Sequence, residues 1–371
     1  MTDIKVNMLV DSLKSIQGKD YAQAHSLSRE FYTSPAWIDF EIEALFARQW
    51  VCVGRVEEVS QAGDYMSARI GNEPLVVVRG DDGEFRAFSN VCRHRGTVIV
   101  EGYGQGRMVC PYHHWSYDAQ GQLISAPSIG SGAESKLADC RLPEFPCTQW
   151  AGFLFVSLSE NPLDINDQLE GLQREIGNYH IEEMQMRHVA EETWPVNWKS
   201  LLENYMEGYH LTPLHLKTLH KVNPTRLCSH FPPGDHYFGY KVGFKTRVPD
   251  DQIGHPNLSE DELNTCVMAA VPPGLTIGVG SDYSSFLCLR PVSPESVHVK
   301  MGLMFFGDSW QDEEITRAVE LFDETMQEDK AVLLRVRDGL RSKRYEPGPL
   351  APPQYEGTLW DFYQYLSRNL T

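Results

Sequence analysis

Four residues in the first third of the chain have the types and spacing to hold a metal centre. Cys92-Arg-His94 is followed, after fifteen residues, by Cys110-Pro-Tyr-His113, so two short loops each offer one thiolate and one imidazole. That donor mixture suits zinc or an iron–sulfur cluster. Structural zinc sites more often pair like with like, as C-x2-C and H-x3-H. A two-iron cluster uses the mixed arrangement, with two cysteines on one iron and two histidines on the other. Imidazole in place of thiolate reduces the cluster's negative charge and raises its reduction potential. His114 is not needed as a ligand, and the other cysteines read as small core residues.

A second group lies within Asn197-Trp-Lys-Ser-Leu-Leu-Glu-Asn204-Tyr-Met-Glu207-Gly-Tyr-His210-Leu-Thr-Pro213-Leu-His215. Glu207 and His210 are three apart and share a face if the segment is helical. His210 and His215 are five apart, about 140° around an ideal helix, and would diverge. Pro213 between them ends or kinks a helix, and a bent turn can bring both imidazoles onto one ion. Without that convergence the two are ordinary polar residues.

These residues need a scaffold. Between Pro35 and Trp50 the apolar residues Trp37, Phe40, Ile42, Leu45 and Phe46 recur at helical spacing. Beyond Val51, short β-type runs (Tyr65–Ile70, Leu75–Arg79, Phe85–Ser89, Met108–Cys110, Phe153–Ser157) alternate with turns such as Arg79-Gly-Asp-Asp-Gly83. They predict a small all-β unit of hairpins carrying the first group. Asn161-Pro162 marks a linker. In the second half the pattern predicts helices over Trp198–Tyr209, Glu313–Arg337 (with breaks) and Tyr355–Leu370. It predicts strands over Tyr237–Thr246, Leu275–Gly280, Phe286–Arg290 and Val297–Phe306. Strands followed by a long helix imply an α+β domain, an antiparallel sheet wrapped around a helix. The expected division is an N-terminal helical segment over 1–46, the β unit over 47–160 and the α+β domain over 161–371.

Composition limits the partners. The 371 residues suffice for about two domains. Thirty-three basic against fifty-one acidic residues give a net charge of −18, which argues against nucleic acid or an anionic membrane as partner. The first twenty residues scatter charge and do not read as an export signal. The apolar stretch Ala151–Leu158 is too short to span a bilayer. Eight cysteines without an export signal do not read as a disulfide scaffold. The expected location is cytoplasmic.

The letters around both groups carry a family resemblance. Cys92-Arg-His94-Arg-Gly96 and Cys110-Pro-Tyr-His113-His114-Trp115-Ser-Tyr117 resemble the Rieske signature of the Rieske non-haem iron oxygenases. The resemblance implies a Rieske [2Fe–2S] cluster on Cys92, His94, Cys110 and His113, and a catalytic domain of the helix-grip, START-like kind. It implies a mononuclear Fe2+ on His210, His215 and Asp329, the last from the Glu328-Asp329 pair that opens EDKAVLLRVRDGLRS. Two imidazoles and a carboxylate on one face leave positions open for dioxygen. Glu207 stands where the family usually has an aspartate that bridges the iron site to the cluster of the neighbouring subunit, and the carnitine oxygenases share this glutamate. Asn204 is expected to support the site from behind the ligands.

The resemblance also implies a homotrimer without a second subunit type. Electrons would come from NAD(P)H through a separate flavin and iron–sulfur reductase, since no G-x-G-x-x-G between strand and helix is found here. Monooxygenation next to nitrogen, with dealkylation of a small amine or quaternary ammonium compound, is the leading expectation. Tyr205, Tyr209, Tyr237, Phe238, Tyr240, Phe244, Tyr283, Phe286 and Phe305 are candidates for the substrate pocket, where ring faces attract a quaternary nitrogen. Hydroxylation of an aromatic ring by a mono- or dioxygenase is the alternative, and fold alone does not separate them. The non-enzyme readings are a Rieske electron carrier and a zinc-stabilised binding module.

Overall fold

The protein is described by a computed structural model that covers residues 2–129, 137, 139–246 and 254–371. Two compact units are distinguished, Phe46–Ile165 and Met1–Leu45 with Asn166–Thr371.

The first unit is a set of small antiparallel sheets. Its largest runs in the order Tyr103–Gln105, Asp64–Ile70, Glu73–Arg79, Phe85–Ser89 and Glu144–Phe145. Leu75 through Val78 are all fully buried, so this central strand reads as one continuous apolar run, as a strand covered on both faces does. Met108–Val109, Ser116–Tyr117 and Leu123–Ser125 form a smaller sheet. Beneath the two Cys/His loops lies a core of Val76, Phe88, Ile99, Met108, Trp115 and Tyr117.

The second unit is built on one seven-stranded antiparallel sheet. In chain order its strands are β1 (Gln185–Trp194), β2 (Cys228–Phe231), β3 (Phe238–Gly243), β4 (Thr265–Val271), β5 (Leu275–Val279), β6 (Tyr283–Ser293) and β7 (Ser296–Phe305). Their spatial order is β1-β7-β6-β5-β4-β3-β2. The helices that matter for the site are α1 (Thr2–Ile16), α2 (Pro35–Glu41), α3 (Trp198–Tyr205), α4 (Leu211–Leu214), α5 (Asp312–Leu340) and α6 (Pro353–Leu370). On α5, Ala318, Ile315 and Phe322 pack against Leu303 and Phe305 of β7. α6 packs against α1 and against β2 and β3. Among the described residues no helix is long and apolar enough to cross a membrane.

Burial fixes the start of α3. Asn197 caps it by accepting from the Lys199 amide at 2.9 Å. Lys199 and Glu41 are both fully buried and 2.7 Å apart, and Glu41 also accepts from the indoles of Trp37 and Trp198 at 2.7 and 2.9 Å. A buried charge pair held by further hydrogen bonds is costly to disrupt on one side only, so α2 and α3 are locked together.

Three expectations need correction. The helix from Trp198 ends at Tyr205, not Tyr209. Beyond it the backbone is claimed by other elements: the Gly208 amide donates to the Tyr355 carbonyl at 2.9 Å, Thr358 donates to the Met206 carbonyl, and the Tyr240 hydroxyl donates to the Glu207 carbonyl. The break therefore precedes His210. Pro213 sits inside the short α4, in a first turn where its missing N–H costs nothing. α5 is one unbroken helix of 29 residues, without the expected breaks; Met326 and Asp329 from its middle face the site. The strands β1, β2 and β4 had no clear sequence signal. β1 is an edge strand carrying Arg187, Glu191 and Glu192, and only Trp194 in it is buried.

Candidate functional site

Two hairpin tips of identical construction carry Cys92, His94, Cys110 and His113. Val91 pairs with Val98 and Val109 with Ser116, so each pair closes a loop of the same length. In both, the cysteine amide donates to the carbonyl five residues on (Thr97, Trp115) at 2.8 Å, and its carbonyl accepts from the amide four residues on (Gly96, His114) at 3.0 Å. That fourth position has positive φ in both loops, 73° at Gly96 and 58° at His114. His114 therefore holds a turn position and not a ligand position.

Both thiols are buried and both imidazoles are exposed. The His94 and His113 rings lie 4.7 Å apart, and His94 stacks on Trp115 at 4.8 Å. The Tyr117 hydroxyl lies 3.4 Å from Cys92 Sγ. Desolvation, then the neighbouring His94 and Arg95, hold the pKa of His113 below the ordinary histidine value, which favours the neutral imidazole that a metal requires. Two inner thiols and two outer imidazoles fit the donor set of a two-iron cluster, which two cysteines and two histidines would hold.

In the second unit the structure brings together three residues from distant positions. One donor atom each from His210, His215 and Asp329 lie within 4.8 Å of one another. Asp329 Oδ1 is 3.2 Å from His215 Nε2 and 3.7 Å from His210 Nε2. Donors bound at about 2.1 Å and at right angles to one another are about 3 Å apart, so small shifts would close this set around an ion. His215 Nε2 is buried and makes no hydrogen bond among the described residues, an orphan that a metal would satisfy.

Each imidazole is oriented from behind by a glutamate. His215 Nδ1 is 2.7 Å from Glu328 Oε2, which also accepts from the Thr218 hydroxyl at 2.6 Å. His210 Nδ1 bonds to Glu207 Oε1. A carboxylate only accepts, so each Nδ1 carries the proton and each Nε2 turns to the shared point. Burial lowers the pKa of His210, but the Glu207 charge and hydrogen bond, then Asp329, more than offset this and raise it to about 9.

Glu207 is not placed by a helix face, as its spacing to His210 implied. It lies in the turn between α3 and α4, where its other oxygen accepts from the amides of Tyr209 and His210. Asn204, on α3, donates to Asp329 Oδ1 at 3.1 Å, with its nitrogen 3.4 Å from His210 Nε2. Glu328, noted in the sequence only as part of a motif, proves to be the partner of His215. A second set of donors, His180, Glu183 and His255, also comes within 4.8 Å, but Glu183 is exposed and the set lines no cavity described here.

A cavity of about 440 Å³ opens on His210, His215 and Asp329. Of the aromatic candidates, Tyr205, Tyr240, Phe244 and Tyr283 line it, together with Phe322 of α5, which sequence reading missed. Tyr209 is exposed and stacks on Tyr355 at 6.1 Å, and Phe238 packs on Phe362. Tyr237, Phe286 and Phe305 are not among the lining residues.

Comparison with known proteins follows the same division. Residues 174–371 match the family "Ring hydroxylating alpha subunit (catalytic domain)", and residues 49–146 match "Rieske [2Fe-2S] domain". The chain is similar to the carnitine monooxygenase oxygenase subunit of Acinetobacter baumannii, 29% identical over 338 residues with 87% of each protein covered. It is 35% identical over 214 residues to the glycine betaine monooxygenase oxygenase subunit of Chromohalobacter salexigens, covering 57% of this chain and 47% of that one. In fold it resembles the quaternary ammonium Rieske monooxygenase CntA in complex with L-carnitine, with TM-score 0.80, 23% identity, and 95% and 98% of the two chains covered. It resembles naphthalene 1,2-dioxygenase of Rhodococcus sp. with the same TM-score of 0.80, 19% identity and 98% of each chain covered.

Proposed function

The chain belongs to the ring-hydroxylating oxygenase alpha-subunit family, and from that premise we propose that it is the oxygenase component of a monooxygenase that dealkylates a small amine or quaternary ammonium compound. The observation that carries this reading is the triangle of His210, His215 and Asp329 at the wall of an aromatic-lined cavity. The names of the relatives, which act on carnitine and glycine betaine, support the nitrogen-centred substrate.

In this reading Cys92, His94, Cys110 and His113 hold a Rieske [2Fe–2S] cluster, and His210, His215 and Asp329 hold a ferrous ion. Iron bound there supplies the centre at which dioxygen is reduced. The protein's own groups do the rest. Glu207 and Glu328 keep the Nδ1 protons of His210 and His215, so that both Nε2 atoms are available. Asn204 holds the Asp329 carboxylate in place. Tyr205 and Tyr240 line the cavity beside the ligands and would offer ring faces to a substrate nitrogen, while Met268, Leu303 and Phe322 add apolar contact.

The reaction balances as follows. Dioxygen, two electrons and two protons convert an N–CH3 group to N–CH2OH and one water. The C–N bond of that hemiaminal then breaks, and formaldehyde leaves with the dealkylated amine. The electrons come from NAD(P)H through a separate flavin and iron–sulfur reductase. The working assembly is a homotrimer, in which Glu207 links the iron site to the cluster of the neighbouring subunit.

The test is a turnover screen with a generic reductase, NADH and O2 against amines, quaternary ammonium compounds and aromatic acids, with formaldehyde trapped. Formaldehyde in step with NADH consumption is the expected result. Ring-hydroxylated products with no aldehyde from any amine would replace this reading with ring oxygenation.

A further inference from the structure

We infer that the cavity takes an N-methylated organic cation whose nitrogen carries an extended apolar chain or ring, a body much larger than that of glycine betaine. The inference rests on the dealkylation reading and adds the size and polarity of the substrate. One face of α5 lines the cavity, with Asp329, Met326, Phe322 and Ala318 on it. Their spacing of three and four residues keeps them on one face. Eleven residues separate Asp329 from Ala318, which at a rise of 1.5 Å per residue is about 16 Å. Glycine betaine, with one carbon between its ammonium and its carboxylate, is only a few ångströms long and would leave most of this length unfilled.

The two ends of the cavity differ in character. Beside the iron ligands stand Tyr205, next in sequence to Asn204, and Tyr240, whose hydroxyl donates to the Glu207 carbonyl at 3.2 Å. These aromatic faces suit an ammonium whose methyl group points at the metal. The far end is walled by Leu303, Leu321, Phe322 and Ala318, and Leu303 and Ala318 are buried against Phe305 and Trp310. These residues gain from contact with hydrocarbon, and the acidic Asp282, which also lines the cavity, disfavours a carboxylate; the polar groups Asn223, Thr246, Ser285 and Thr325 lie elsewhere in the lining. The volume of about 440 Å³ falls within the range of sites that enclose a ligand of drug size.

The test uses the holoenzyme with both iron centres loaded. Dissociation constants by calorimetry and formaldehyde release are measured for a series of n-alkyltrimethylammonium ions from ethyl to octyl, with glycine betaine for comparison. Each buried methylene is expected to tighten binding about three- to fourfold, until the chain reaches Ala318. Ala318→Leu, checked for an unchanged melting profile, is expected to lower the octyl-to-ethyl ratio of kcat/KM. A flat or falling series, or tightest binding for glycine betaine, overturns the inference and leaves dealkylation standing. A rising binding series without formaldehyde from any member keeps the apolar occupant and overturns dealkylation.

Discussion

Replacing Glu328 tests whether the iron site is set from behind its ligands. Its Oε2 accepts from both His215 Nδ1 at 2.7 Å and the Thr218 hydroxyl at 2.6 Å, and His215 is fully buried. Glu328→Gln can keep both bonds, because one amide oxygen occupies the same place, and it loses only the charge. Glu328→Ala loses both bonds, and leaves a buried imidazole N–H and a hydroxyl without a partner or free to turn. Partners of metal-bound histidines are worth about 10- to 100-fold in metal affinity, or roughly 1.4 to 2.7 kcal/mol. The glutamine variant should fall at the lower end and the alanine variant at the upper end. The assay is an anaerobic titration of protein stripped of its mononuclear metal with ferrous ion against a competing chelator. The spectrum of the reduced cluster serves as an internal control, since it should not change. A folded Glu328→Ala protein with iron affinity within twofold of the parent would refute the claim that Glu328 fixes His215 for the metal.

Three further outcomes follow from the same geometry. Asp329→Ala should keep the two irons of the cluster and lose the third, read by iron analysis together with the cluster spectrum. His210 has its pKa raised to about 9 in the metal-free protein, so below that pH iron must displace a proton; affinity should rise about tenfold per pH unit from 7 to 9 and level off above. The same proton stabilises the metal-free fold fully below the ordinary histidine value, a contribution lost as pH rises through 9; Glu207→Gln should shift both effects to lower pH. Glu41→Ala strands the fully buried Lys199 without its partner and should cost about 3–5 kcal/mol, visible as a lowered denaturation midpoint.

The ease of reading this chain varied with how local each signal was. Cys92, His94, Cys110 and His113 stand in two short loops, so their spacing was legible, and the repeated turn explains in retrospect why His114 is set apart. His210, His215 and Asp329 were reached through a motif, because nothing in the local pattern links residue 329 to a turn more than a hundred positions earlier. Glu207 was chosen for a helical spacing that does not exist: tertiary hydrogen bonds from Tyr355, Thr358 and Tyr240 end the helix at Tyr205. Local propensity cannot anticipate such partners. β1 was missed because an edge strand with mostly half-exposed side chains lacks the apolar alternation of the inner strands. Phe322, an aromatic at helical spacing, carries no sequence signal that separates it from ordinary helix packing.

The most direct trial of the account is a single turnover. Protein carrying both iron centres is reduced chemically, freed of reductant, and exposed to O2 with an N-methylated quaternary ammonium ion. The account predicts that the cluster is oxidised as formaldehyde and dealkylated amine appear together, with one oxygen atom from O2 in the first intermediate product. Cluster oxidation with no cleaved C–N bond, or the same aldehyde yield from Asp329→Ala protein, would contradict it.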